Sequence, residues 1–251
     1  MTEKILNIVQ LYPREMNIYG DNGNVLVLKK RAELYGFATN FREFEIGDSR
    51  NILDAADIIL SGGGQDSGQN LIIDDLQKNG EILRGLAQNG VAMLVICGLY
   101  QLFGNFYQVN EREKMDGIGI FDMETVASSR RLIGNIVTKT EFGEIVGYEN
   151  HSGLTTLASG QKAFGKVVRG AGNNGVDKTE GARSRNCFGS YLHGPILPKN
   201  PCLADELIRL AVSRKFGVEK LGARDEISRK ELEKLGEIVA RAREIAMKRP
   251  R

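Results

Sequence analysis

The sequence predicts an α/β domain in which strands and helices alternate around a mostly parallel central sheet. Three apolar segments, at 5–11, 56–60 and 91–96, are each followed by a loop and then a helical pattern. Such alternation is typical of a parallel sheet that helices cover on both faces, a three-layer α/β sandwich. The 251 residues are 41% hydrophobic and 26% charged, the composition of a soluble globular protein.

The first half of the chain supplies these strand–helix units in order. The strand at 5–11 leads through the turn-like segment 21–24 into a helix that Gly36 ends, and a second strand is expected at 37–44. The strand at 56–60 runs into Ser61 and three glycines, and a helix is expected over about 70–88. The strand at 91–96 ends at Cys97, so three loops fall at the same edge of the predicted sheet.

The second half of the chain changes character. Residues 117–169 are glycine-rich and contain four β-type stretches (118–126, 132–138, 145–148 and 166–169), some of them expected to be antiparallel, and 183–192 is the last strand candidate. Asn200 is the predicted N-cap of a helix with Pro201 at its first position, and Gly217 ends that helix. One domain is therefore expected over residues 1–217.

The remaining segment, 218–251, is predicted to be a helical extension. Its apolar residues recur at helical spacing, which is typical of an amphipathic helix that packs on its own domain or on a partner. These residues are Leu232, Leu235, Ile238, Val239, Ala242 and Ile245.

Charge and cysteine content exclude several classes of function. The 34 basic and 32 acidic residues leave a formal charge of +2, so nucleic-acid binding is not expected. The longest apolar run, 91–97, is too short to cross a bilayer, and no export segment is recognised. Three cysteines and two histidines show no metal-ligand spacing, which predicts a reducing cytoplasm and no metal site.

Three loops, at 12–24, 61–68 and 97–101, follow the carboxyl ends of candidate strands, where open α/β sheets bind ligands. Cys97 stands between a strand and a helix start, where the helix dipole and backbone N–H groups would favour its thiolate. The alternative is a small buried structural residue, the commoner use of a free cysteine. Position alone leaves both open.

The triple glycine at 62–64 is either a tight turn or a place where backbone closely approaches a ligand. Three glycines cost backbone entropy that an ordinary turn does not require, which favours the second explanation. We expect N–H groups of Gly63, Gly64 and Gly98 to form an oxyanion hole. Two nucleotide-binding patterns fail: 62–67 lacks the last glycine of the dinucleotide fingerprint, and Val167 replaces the hydroxyl residue of a phosphate loop. ATP binding by this chain is therefore not expected.

The two histidines, His151 and His193, are both candidates for acid–base chemistry. A lone histidine is more often a hydrogen-bonded structural residue, although His is the commonest acid–base side chain. His193 follows the last strand candidate, where it could reach the ligand crevice. Pairing with Cys97 therefore favours His193.

Two segments resemble one enzyme family. Residues 94–104, LVICGLYQLFG, are similar to the nucleophile segment of class I glutamine amidotransferases of the cobyric-acid-synthase-like branch, and 191–195, YLHGP, to that branch's histidine segment. Segments 16–24, 131–134, 147–153 and 193–200 further resemble the GatD family, the glutaminase subunits of lipid II isoglutaminyl synthase. The resemblance extends to about residue 217 and implies a flavodoxin-like α/β fold.

The resemblance implies a role for four side chains. Cys97 is the nucleophile that attacks the side-chain amide of L-glutamine, and His193 takes the thiol proton and later delivers a proton to ammonia. Arg131 matches the position that holds the glutamine carboxylate, and Gln101 matches one that helps to bind substrate. From the residues alone, Arg131 is more often a solvated surface charge, and Gln101 could equally cap local backbone.

The sequence departs from most class I amidotransferases at Pro195, where they carry a glutamate that orients the histidine. The cobyric-acid-like branch shares this departure. A backbone carbonyl or an acidic residue of a partner chain could orient His193 instead. Our hypothesis is that the partner completes the site, which would couple glutamine hydrolysis to assembly.

The resemblance also implies a partner. It would be a Mur-ligase-like synthetase subunit, MurT, forming a heterodimer and using ATP and Mg to amidate the α-carboxylate of D-glutamate in lipid II. This chain would then need no cofactor of its own, reach lipid II through the partner and work in the cytoplasm, at the inner face of the membrane through the complex. Two alternatives remain: an amidase subunit of a cobyrinate-type synthetase, and a non-catalytic scaffold.

Overall fold

The computed structural model of the protein describes residues 3–249. Its first sheet, sheet A, is built from β1 (Ile5–Leu11), β2 (Ala38–Phe44), β3 (Ile58–Ser61), β4 (Ala92–Ile96), β11 (Ala182–Ser184) and β12 (Cys187–Ser190). Their spatial order is β11-β12-β4-β3-β1-β2, and all neighbours pair in parallel except β11 with β12. The prediction of a mostly parallel central sheet is confirmed.

Helices cover both faces of sheet A. The helices of the described chain are α1 (Asn22–Leu34), α2 (Asn51–Asp54), α3 (Asp66–Gln88), α4 (Gly98–Leu102), α5 (Ile196–Lys199), α6 (Pro201–Phe216) and α7 (Glu226–Lys248). The connections β1 to β2 and β3 to β4 run in opposite directions across the sheet, so right-handed crossovers place α1 and α3 on opposite faces. Because both faces are covered, every residue of β3 and β4 is buried.

The second sheet, sheet B, is built around a long antiparallel hairpin. Its strands are β5 (Phe106–Gln108), β6 (Lys114–Asp116), β7 (Met123–Thr140), β8 (Gly143–Leu157), β9 (Gly165–Arg169), β10 (Thr179–Glu180) and β13 (Leu192–His193). The prediction of antiparallel strands is confirmed, but their assembly into a separate sheet was not predicted. Residues 118–122, predicted as strand, form none, and the predicted strand at 183–192 divides into β11, β12 and β13.

Two irregularities of sheet B position side chains near sheet A. In β7, Ala127 pairs with Gly153 and Leu132 with His151, so residues 128–131 project from the ladder as a wide bulge. The chain then crosses from β12 of sheet A into β13 of sheet B, where His193 pairs with Tyr148. Both features lie beside the carboxyl end of β4.

The predicted boundaries of α6 are confirmed by its cap residues. Pro201 is its first residue, after Asn200, and Gly217 ends it with a left-handed φ of 67°. Helix α3 begins at Asp66, four residues earlier than the pattern indicated. Since its first turn borders the loop after β3, this difference matters for the site.

Helix α7 packs against the rest of the described chain, and polar contacts from Arg243, Arg169 and Lys30 attach it. The Arg243 guanidinium donates to the carbonyl oxygens of Lys199 and Glu144 and to Asn200 Oδ1. Of the apolar stripe, three members are half-buried and three are exposed; in chain order the exposed ones are Ile238, Ala242 and Ile245. Within residues 3–249, none of the helices combines the length and hydrophobicity that a membrane span needs.

Candidate active site

A cavity of about 360 Å³ opens at the carboxyl end of sheet A. Its walls come from the loop after β1, the loop between β3 and α3, the β4–α4 junction and the β7–β8 hairpin. Four of the predicted site residues line it: Gly64, Cys97, Gln101 and Arg131. Parallel strands that end at one edge thus bring together loops that lie far apart in the chain.

Cys97 occupies a strained turn between β4 and α4. Its φ of 51° and ψ of −104° are unusual for a residue with a side chain. The turn is held because the Cys97 N–H donates to the Ser190 carbonyl over 2.8 Å, and the Cys97 carbonyl accepts from the Gln101 N–H over 3.0 Å. Strain of this kind is concentrated at functional sites, and a strand–turn–helix elbow exposes a nucleophile. The geometry favours a nucleophile over a structural cysteine.

His193 converges with Cys97 on Gly63. A Cβ atom added to Gly63 would lie 2.8 Å from His193 Cε1 and 3.0 Å from Cys97 Cβ. The Tyr19 ring covers the imidazole, with ring centroids 4.1 Å apart. Both His193 nitrogens are buried and have no hydrogen-bond partner among residues 3–249. No backbone carbonyl of the described chain therefore orients His193, and that predicted alternative is wrong.

Arg131 reaches the cavity because it lies in the bulge of β7. Its Nε donates to Asn150 Oδ1 over 2.7 Å, and both residues line the cavity. Its charge is near enough to lower the pKa of the Cys97 thiol. The neighbouring Arg130 is absent from the cavity wall. The structure thus distinguishes Arg131, which lines the cavity, from Arg130, which does not.

Gln101 lines the cavity but is also part of a buried hydrogen-bond chain. Its Oε1 accepts from Gln69 Nε2 over 2.9 Å, and its Nε2 donates to the Tyr191 hydroxyl over 3.2 Å. The Tyr191 hydroxyl in turn shares a hydrogen with Thr155 Oγ1 over 2.7 Å. This series of hydrogen bonds fixes α4 to the segment before His193. Substrate binding by Gln101 stays a prediction.

Asp21 is a site residue that the sequence indicated only as part of a turn. Its buried Oδ2 accepts from the Gly63 N–H over 2.9 Å, across 42 residues of chain. Because this N–H is engaged, the amides of Gly64 and Gly98 are the two left for the predicted oxyanion hole. No local pattern could have revealed the contact, since it joins two separate loops.

The triple glycine allows the loop after β1 to pack against the site. A Cβ on Gly62 would collide with the Met16 carbonyl oxygen, and one on Gly64 would lie 2.7 Å from the Glu15 carbonyl oxygen. The close backbone approach predicted for this segment is therefore partly a contact with the loop after β1 rather than with a ligand.

Comparison with known proteins agrees with this geometry. Residues 7–201 match the family described as the CobB/CobQ-like glutamine amidotransferase domain. The chain belongs to this family. The nucleophile and histidine segments that resemble this family in sequence carry Cys97, which lines the cavity, and His193, which does not line it but lies beside Cys97 across Gly63.

Within the family, this amidotransferase is similar to GatD proteins. It is 39% identical over 231 residues to the lipid II isoglutaminyl synthase (glutamine-hydrolyzing) subunit GatD of Streptococcus pneumoniae, covering 90% of this chain and 88% of that one. It is also 39% identical over 212 residues to the Staphylococcus aureus GatD, covering 84% and 86%. The predicted resemblance is confirmed.

A solved structure shows the same fold at low sequence identity. The structure of PurLQS from Thermotoga maritima aligns with a TM-score of 0.56 and 15% identity, over 85% of this chain and 99% of that one. The predicted α/β fold of class I amidotransferases is confirmed.

Burial dominates the electrostatics of this amidotransferase site. Burial, with a smaller contribution from the nearby Asp21 carboxylate, raises the pKa of the Cys97 thiol to about 12, against the lowering effect of the Gly98 N–H. Burial also lowers the pKa of His193 to about 3. Thiol and imidazole are therefore both neutral in this environment. The sequence-based expectation of a lowered thiol pKa is wrong here, because desolvation outweighs the dipole of the five-residue α4.

This result predicts how Cys97 reacts with a small electrophile. Because the thiolate fraction of a high-pKa thiol grows about tenfold per pH unit, alkylation by iodoacetamide should rise continuously from about pH 6 to about pH 10. The rate is measured by intact mass, with Cys97→Ala as the control for Cys187 and Cys202. A rate that levels off near neutral pH would instead indicate a thiolate–imidazolium pair.

His151 and Glu180 support the segment that carries His193. The His151 ring stacks on Tyr191 at 3.6 Å, and its Nδ1–H donates to the Gly153 carbonyl over 2.8 Å. Glu180 is buried and accepts from the Tyr191 N–H over 2.8 Å, and burial raises its pKa to about 8. Both residues thereby hold Tyr191, two positions before His193. Among the described residues, no group of three or more His, Cys, Asp or Glu side chains is placed to hold a metal ion.

Proposed function

We propose that this chain is the glutaminase subunit of a lipid II isoglutaminyl synthase. It hydrolyses L-glutamine through Cys97 and His193 and passes ammonia to a Mur-ligase-like partner, MurT, which amidates the α-carboxylate of D-glutamate in lipid II. The observation that carries the proposal is the strained Cys97 elbow, with His193 on one side and an arginine-lined cavity on the other. The similarity to two GatD subunits supports this acceptor.

The reaction proceeds in two halves. The Cys97 sulfur attacks the side-chain amide carbon while His193 accepts the thiol proton, and the amides of Gly64 and Gly98 stabilise the negative oxygen. His193 then delivers that proton to the nitrogen, the C–N bond breaks, and ammonia leaves a γ-glutamyl thioester. In the second half, His193 takes a proton from the water that attacks the thioester carbon. The C–S bond then breaks to release glutamate, and His193 returns the proton to the sulfur, which restores the thiol.

Neutral reactants set a condition on the first step. Because burial favours the uncharged thiol and imidazole, the proton must move when Cys97 attacks glutamine. A group that stabilises the resulting imidazolium would accelerate this transfer. No described residue bonds to His193, and the partner subunit is our candidate for supplying that group.

The partner has an open face on which to dock beside His193. Tyr148 is the register partner of His193, and Ile133 pairs with Asn150 on the same face of the β7–β8 hairpin. Tyr148 is 38% and Ile133 is 46% exposed, high values for apolar side chains at the edge of a buried site. The partner covers this face and supplies an acid to His193. Glutaminase rates that are equal with and without the partner would contradict this arrangement.

The nucleophile is tested by covalent capture. We expect one adduct when the chain reacts with 6-diazo-5-oxo-L-norleucine, a glutamine analogue, and none in Cys97→Ala. Cys202→Ala, which removes a half-buried thiol in α6, should label like the wild type. An adduct that appears only when the synthetase subunit is present would show that the partner orders the site. No adduct under either condition would refute the glutaminase function.

The acceptor needs a separate experiment. With L-glutamine labelled at its amide nitrogen, ATP, Mg and lipid II, the assembled complex should transfer the label to the stem peptide. If labelled ammonia is released but lipid II is not labelled, the chain is a glutaminase that serves a different acceptor.

The assignment of Arg131 predicts a loss of substrate affinity. Replacing Arg131 by glutamine removes a charge-assisted bond to the glutamine carboxylate, so kcat/KM should fall about 10- to 100-fold, mainly through KM. Arg130→Gln is the matched control and should remain within about twofold of the wild type, since only Arg131 lines the cavity. The reverse pattern would assign the carboxylate to Arg130.

A further inference from the structure

The cavity wall carries two opposite formal charges. Among the described residues that line it, Arg131 and Asp66 are the ones charged at neutral pH, since burial lowers the pKa of His151 to about 4. Both charges lie near the nucleophile, because Asp66 raises and Arg131 lowers the pKa of the Cys97 thiol. No sequence motif points to Asp66, and this carboxylate takes no part in the proposed reaction of Cys97 and His193.

Asp66 is held in place on one side and open on the other. It is the first residue of α3, where the helix dipole favours a negative charge. Its Oδ1 accepts from the hydroxyl of the buried Tyr107 over 3.3 Å. Its Oδ2 makes no hydrogen bond or ion pair within residues 3–249, and the residue is exposed at the cavity wall. A ligand can therefore reach one carboxylate oxygen while Tyr107 restrains the other.

Two of the amide acceptors in the cavity wall are already engaged. Gln101 Oε1 accepts from Gln69, and Asn150 Oδ1 accepts from Arg131. Asp66 Oδ2 is thus the open anionic acceptor of the wall. An ammonium group taken from water needs such a partner, because an unpaired charge in a confined site costs several kcal/mol.

We propose that Asp66 binds the α-ammonium group of L-glutamine and that Tyr107 is its positioning residue. The inference rests on the proposed function and deepens it. Glutamine presents an α-carboxylate, an α-ammonium group and a neutral side-chain amide, and the cavity offers a guanidinium, a carboxylate and a thiol. The cavity thereby selects a free amino acid over amides that lack the α-amino group.

The test compares two amides that differ by one group. L-Glutamine and 4-carbamoylbutanoate, which lacks the α-amino group, are hydrolysed by wild type, Asp66→Asn and Tyr107→Phe, each assembled with the synthetase subunit. Asp66→Asn should lower kcat/KM for L-glutamine about 10- to 100-fold and change that for 4-carbamoylbutanoate by less than about twofold. Tyr107→Phe should raise KM for L-glutamine alone, with kcat retained.

Asp74→Asn is the matched control, because Asp74 is an exposed aspartate of the same helix outside the cavity wall. It should leave both substrates unaffected. An equal loss on both amides in Asp66→Asn would make Asp66 a structural residue, and no loss on either would place it outside the glutamine site; both outcomes overturn the inference. If the wild-type complex hydrolyses neither amide, the proposed function itself fails and the inference fails with it.

Discussion

Cys97→Ala should abolish glutamine hydrolysis, lowering kcat by about a thousandfold or more. The substitution removes the sulfur that forms the thioester, and no neighbouring group can replace it. The fold should survive, because the turn at residue 97 is held by backbone hydrogen bonds to Ser190 and Gln101, which alanine keeps. The measurement is glutamate release by the purified complex, with thermal unfolding to verify that the variant is folded.

Cys202→Ala controls for the loss of a thiol as such. Cys202 is a half-buried free cysteine of α6 that does not line the cavity, so this variant should hydrolyse glutamine within about twofold of the wild type. If Cys97→Ala still supports full product formation by the complex, the chain is a scaffold subunit and its thiol is structural.

Gly63→Ala should lower kcat/KM by about a hundredfold or more while the protein stays folded. The added methyl group would lie 2.8 Å from His193 Cε1 and 3.0 Å from Cys97 Cβ, closer than unstrained contacts allow. The two reacting side chains must therefore move apart, and a displacement of about 1 Å is enough for a loss of this size. Steady-state kinetics of the complex measures the effect.

Gly85→Ala is the matched control for this substitution. Gly85 lies within α3, and a Cβ there would meet no atom within 4 Å. Activity should be unchanged, and the free energy of unfolding should rise by up to about 1 kcal/mol because alanine favours the helix. Full activity in Gly63→Ala would show that the reaction of Cys97 with His193 does not depend on the close approach of both side chains to Gly63.

Local signals in the sequence predicted much of the fold. The apolar, fully buried β4 and its end at Cys97 follow from composition, and the ends of α6 follow from Pro201 and from the left-handed Gly217. These features depend on backbone sterics and on residues adjacent in the chain, which one sequence records directly. Sheet B was less predictable, because its long β7–β8 hairpin and its short strands are selected by pairing rather than by propensity.

The sequence by itself determined which residues are candidates for the chemistry: a cysteine at a strand end, a histidine after the last strand, a triple glycine and an arginine that matched a family position. Only the tertiary structure decided their environment. The Asp21 bond to Gly63, the bulge that brings Arg131 to the cavity and the burial of His193 nitrogens that no described residue bonds all depend on contacts between distant segments. The pKa of Cys97 was predicted in the wrong direction for the same reason, because desolvation is a property of the assembled site.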